Sequence, residues 1–199
     1  MASLSLTTAQ IRALPTATIA GLSSSVIQAL TTAQVGALTS AQVAALGTAG
    51  AGALTSTQVP ALSTAALAGL SSAEVAQLGT AELTALTTAQ VAALPTAALA
   101  GLSTADVAAL GTNQVAAFTT AQVVALGTAS VAALTTAEVQ ALTTAQIKAL
   151  TTGETAALGT ANVAALTTAQ VAALSRTLPS FGDKWLIWLA YGGDCLATR

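Results

Sequence analysis

The stretch TTAQVAAL, residues 87–94, decides the fold, because the chain writes variants of it 21 times in succession from Thr7 to Leu174 with no insertion or deletion. Octad 1 is 7–14 and octad 21 is 167–174. Position 8 of the octad is Leu in every copy but one, where Phe118 stands. Position 5 is Val, Ile or Leu except at Ala51 and Thr155, position 2 is always Ser or Thr, and position 3 is usually Ala. The apolar pair at 5 and 8 is spaced i, i+3, which places both side chains on one face of a helical turn.

One continuous helix does not fit this pattern. At about 100° per residue the Leu row drifts by about 80° per octad and visits every face of the rod. A coiled coil needs a seven-residue spacing, so it is excluded too. The octad instead carries its own stop and start. Positions 1 and 2 read TT, ST, SS, GT or PT. A hydroxyl there accepts from the first free N–H groups of a helix, and Gly or Pro ends the turn before it. Positions 3 to 8 are good helix formers. The expectation is an all-α, elongated solenoid of very short helices, one per octad, of α or 3-10 type. A β-solenoid is the alternative, disfavoured by the Ala and Gln content.

A 16-residue period is nested in the first. Every odd octad opens with Ser or Thr, and ten of the eleven carry Gln, Glu or Asp at position 4, the spacing of a capping box. Seven of the ten even octads open with Gly or Pro: Pro15, Gly47, Gly79, Pro95, Gly111, Gly127 and Gly159. Two octads therefore form the higher-order unit, and a coil is expected to hold an even number of them, two or four. Glu74, Glu82, Glu138 and Glu154 stand at position 4, where they read as solvated acids at helix ends rather than as paired catalytic acids. Residues 47–62 depart most from the pattern. Gly50 and Gly52 raise the entropy of the unfolded chain and Pro60 removes a donor, so this segment reads as a hinge or as drift in a redundant array.

Six residues lead in (1–6), the array spans 7–174, and a non-repeat tail runs from 175 to 199. The tail holds both tryptophans and the one tyrosine. Asp183 and Gly192 bound a cap helix over 184–191. Trp185, Ile187, Trp188, Leu189 and Tyr191 are the candidate capping or interaction residues. They could cover the last coil, which repeat arrays require, dock a partner, touch a membrane, or form a poorly packed end.

Composition limits the function. Net charge is −2 and charged residues make up 6%. The array carries only Arg12 and Lys148 as bases, so it has no basic face for nucleic acid. Hydroxyls interrupt every apolar run before it can span a membrane, and no signal peptide is visible at the N-terminus. The lone Cys195 provides no disulfide and no thiolate metal site. With no histidine in the chain, Ser–His and Cys–His nucleophile pairs are absent. No phosphate-binding glycine loop is present. No catalytic, cofactor or metal residues are expected, and the chain reads as a non-enzyme.

The motif TTAQVAAL over 7–174 resembles the octapeptide arrays of very large bacterial secreted or cell-surface, adhesin-like proteins. That resemblance implies a stalk or spacer outside the cell, with no catalytic residues. The alternatives are a filament or sheet that self-assembles through the solenoid ends, and a surface of hydroxyl rows for glycan or ice. The protein or glycan partner is unspecified.

Overall fold

The computed structural model describes residues 6–174. Residues 1–5 of the lead-in and the whole tail, with Trp185, Ile187, Trp188, Leu189, Tyr191, Cys195 and the expected cap helix 184–191, lie outside the described residues. Among the described residues the structure is all helical, a series of short elements without a strand.

Each octad makes its helix by the route its sequence dictates. In octad 11 the Thr87 side chain accepts from the Gln90 N–H at 3.2 Å, and the helix runs Thr88–Ala93. Leu94 then leaves it at φ −61°, ψ 135°, its N–H still bonded back to Val91. The same cap recurs at Thr7, Thr39, Ser103 and Thr143. Octads 7 and 12 differ. Their elements, Val59–Ala61 and Thr96–Gly101, are 3-10 helices, the first holding Pro60. Short runs suit that tighter turn, the three residues of the first better than the six of the second.

The array divides into two compact units, the first ending at Leu110 and the second beginning at Gly111. In the first, helices stack in three columns. Thr16–Ala20 packs on Ser40–Ala45, which packs on Thr64–Leu67, which packs on Thr88–Ala93. A second column runs Ser24–Ala29, Gly47–Ala51, Ser72–Val75, Thr96–Gly101. The third starts at Thr8–Ala13 and ends at Thr104–Ala109. Neighbours within a column are three octads apart, so a coil holds three octads, or 24 residues. The second unit repeats this: Thr112–Ala117, Thr136–Ala141 and Gly159–Ala165 form one column, and Thr144–Ala149 packs on Thr168–Leu174.

Three octads per coil corrects the expected even number. The 16-residue alternation survives for a different reason. With an odd number of octads per coil, every odd octad rests on an even one. The octads bearing Gln, Glu or Asp at position 4 therefore stack on the octads that most often open with Gly or Pro.

Positions 5 and 8 line the interior, as their spacing predicts. Ile11, Val43, Val91, Val107 and Ile147 are buried, with Leu38, Leu78 and Leu142 beside them. Coils meet closely at positions 6 and 7. A Cβ on Gly69 would collide with the Ser40 backbone carbonyl, and one on Gly101 with that of Ser72. Both glycines belong to octads whose position 4 is a buried alanine, Ala66 or Ala98, rather than an amide. Position 3 does not share this role: its alanines, such as Ala41 and Ala89, face solvent. The irregular octad 6 is filled. Gly50 is buried, and a Cβ there would stand 2.9 Å from Leu46 Cβ and 3.2 Å from Ile27 Cδ1.

Candidate functional site

Position 4 is where the polar chemistry of the array collects. In octad 11 the Gln90 Oε1 accepts from the Thr87 N–H at 2.9 Å and from the Thr87 hydroxyl at 3.1 Å, completing a capping box. Its Nε2 turns the other way, into the coil beneath. There it donates to the Val59 carbonyl at 2.9 Å and to the Leu62 carbonyl at 2.8 Å. One amide thus satisfies an orphan donor at the start of its own helix and orphan acceptors at the end of another. Gln90 is 3% exposed, so these bonds run in a dry interior where leaving either end unpaired is costly.

The arrangement repeats through each unit. Gln42 reaches Ile11 and Leu14, and Gln58 reaches Ile27 and Leu30. Gln146 reaches Val115 and Phe118, and Gln170 reaches Val139 and Leu142. The acceptors lie 31 and 28 residues back, at the corner just before the octad on which each helix rests. Asn162, one methylene shorter, keeps the single bond to Leu134 at 2.8 Å.

The acids use the same seat, which corrects their reading as solvated. Glu74, Glu138 and Glu154 are buried, because position 4 faces the neighbouring coil as well as its own cap. Each spends Oε2 on its cap: on Ser71 N–H at 2.8 Å, Thr135 N–H at 2.6 Å and Thr151 N–H at 2.8 Å. The Oε1 atoms of Glu74 and Glu138 are buried without a hydrogen-bond partner. Glu82 is partly exposed. Asp106 is also partly exposed, and its Oδ1 accepts from the Thr80 hydroxyl at 3.0 Å. The described residues contain no group of three or more His, Cys, Asp or Glu able to hold a metal ion.

The corner that this geometry repeats reads Ala, Leu, Thr, Thr, Ala, Gln in sequence, as at 85–90. A family model described as the ALTTAQ repeat matches residues 4–40, 35–64, 88–120, 115–152 and 139–176, well over half of the chain. The chain belongs to the ALTTAQ repeat family. The six residues of the ALTTAQ phrase straddle the octad boundary. They hold the buried Leu whose carbonyl accepts, the Thr that caps, and the Gln that joins them across coils. No curated protein and no solved structure matches the chain.

Sequence reasoning found the capping half of position 4 and missed the half that crosses between coils. The signal available was the amide itself: a capping box is served as well by Glu at this position, whereas only a long amide offers an acceptor and a donor at once.

Proposed function

We propose that this ALTTAQ repeat chain is a non-catalytic structural scaffold, a stalk or spacer of a bacterial surface or secreted protein. The observation that carries this reading is where the position-4 amides point. The buried Gln residues, the most repeated polar side chains of the interior, bond to backbone of the chain itself. The interior is Leu, Val and Ile, and hydroxyl and small side chains such as Thr88, Ala89 and Ala92 face outward. No described helix is long and apolar enough to cross a membrane. Repeats that contact only their neighbours add length in equal increments, which is what a spacer requires. The bacterial and extracellular setting rests on the resemblance to adhesin-like octapeptide arrays.

The test is to insert three further octads, a copy of 87–110, and compare small-angle scattering and electron micrographs with those of the parent chain. A spacer gains about 8–10 Å in maximum dimension, the distance between packed helices, at constant cross-section and as separate particles. Growth into filaments at both lengths would favour a self-assembling protein. An unchanged maximum dimension would overturn the spacer reading.

A further inference from the structure

Five octads open with glycine, and they follow a rule across coils. For Gly47, Gly79, Gly111 and Gly127, the residue 27 positions later is Glu74, Asp106, Glu138 and Glu154. For Gly159 that position falls beyond the array. Of the octads that open with Thr, Ser or Pro, one alone has an acid at that distance, Glu82 after Thr55. Pro15 and Pro95 are followed at 27 residues by Gln42 and Gln122. Twenty-seven residues is the step from position 1 of an octad to position 4 of the octad resting on it.

The backbone at these corners explains the choice. At an ordinary corner the Leu has ψ near 135° and the next residue φ near −70°, as at Leu94 and Thr87. There the Leu carbonyl faces the coil above, and an amide donates to it. At Leu46–Gly47 the Leu has ψ −32° and the glycine φ +62°. Gly127 has φ +75° and ψ 171°. Turning both dihedrals by well over 100° reverses the peptide plane. The carbonyl swings away, Leu46 O accepting from Gly50 N–H at 3.2 Å, and the glycine N–H comes round in its place. Only glycine holds such a φ without strain.

We infer that at the reversed corners of Gly47 and Gly127 the Gly–acid pair is a register code: the acid at position 4 accepts the N–H of the reversed glycine peptide in the coil beneath, as the amide donates to an ordinary corner. Glu74 is the acid for Gly47 and Glu154 the acid for Gly127. Oε1 of Glu74 is buried with no hydrogen-bond partner in this structure; it stands at the position of the Gln donor and is the acceptor that a reversed peptide needs. At Gly79 and Gly111, both with φ −74°, the corner is ordinary and the code does not apply: Asp106 takes the Thr80 hydroxyl, Gly111 N–H donates to Gln114 Oε1 at 2.9 Å, and Glu138 Oε1 is left without a partner. A chain of near-identical octads needs such marks. A coil displaced by one octad sets Glu74 over a Thr-led corner, oxygen against oxygen, and mismatches of this kind supply specificity that apolar packing lacks.

The experiment uses the full chain with E74Q, G47T and the double variant, read by urea midpoint and by amide exchange at Gly47. E74Q keeps side-chain volume and the acceptor for Ser71, and is expected to speed Gly47 exchange about tenfold or more, the weight of one charge-assisted bond. G47T lowers the midpoint, and adding E74Q to it restores part of the loss, because an amide then faces an ordinary corner. In the reverse transplant Q90E lowers the midpoint and S63G on top of it recovers part. Unchanged Gly47 exchange in E74Q overturns the code, and this readout holds even where G47T does not fold. Additive effects in either pair overturn it as well.

Discussion

Replacing Gln90 by Met removes one amide and keeps most of the volume. The loss is the bond accepted from Thr87 N–H at 2.9 Å and the two donated to Val59 and Leu62 at 2.9 and 2.8 Å. Val59 O retains the bond from Leu62 N–H at 3.1 Å, so the group stranded in the interior is Leu62 O, and Thr87 N–H loses its partner at the part-buried corner. At about 1–3 kcal/mol for the buried Leu62 carbonyl and about 0.5–1.5 kcal/mol for the bond lost at Thr87, Q90M costs about 1.5–4.5 kcal/mol. With a urea slope of about 1–3 kcal/mol/M this moves the midpoint by at least about 0.5 M. The control is the exposed Gln77→Met, for which a change within about 0.5 kcal/mol is expected. Circular dichroism at the helical band during urea titration reads both. A Q90M midpoint equal to that of Gln77→Met would refute the reasoning, because it would mean the amide bonds between coils carry no net stability.

Gly69→Ala and Gly101→Ala drive a Cβ into the backbone of the coil beneath and should each cost about 1–3 kcal/mol in thermal melts, the range for overpacking. Gly153→Ala meets only ordinary contact, 3.5 Å to Thr128 Cγ2, inside the helix Thr152–Ala157, and should raise stability by about 0.5–1 kcal/mol in the same melts. Gly159→Ala must hold φ +74° and should lose about 1–2 kcal/mol, seen as a lower melting temperature. Thr155 occupies the apolar position 5 at 5% exposure, so Thr155→Val should stabilise by about 1 kcal/mol in urea titration by freeing a buried hydroxyl position for packing.

The octad made its own helix legible. The hydroxyl caps, the stop after Leu and the inward pair at positions 5 and 8 are local facts, and local facts can be read from eight residues. The number of octads per coil is not local. The alternation of Thr-led and Gly- or Pro-led octads pointed to an even coil on the assumption that like stacks on like. Here unlike stacks on unlike: Gln42 lies over the corner before Pro15, and Glu74 belongs to the octad resting on Gly47. Position 4 was half legible for the same reason. A capping box at the protein surface and one whose amide continues into the next coil have the same sequence. Gly50, in the segment that read as a hinge or as drift, lies against Leu46 and Ile27, a packing that its own octad does not display. Trp185, Trp188 and their neighbours, the interaction residues named from sequence, lie outside the described residues.

The central claim is that coils of three octads are joined through the position-4 amides. The most direct measurement is the set of nuclear Overhauser contacts from the Gln90 side-chain amide protons in the full chain, labelled selectively at glutamine. The account predicts contacts to Val59, Leu62 and Ser63, 27 to 31 residues back. Contacts to the corner between octads 8 and 9, as a two-octad coil requires, or between octads 6 and 7, as a four-octad coil requires, would contradict it.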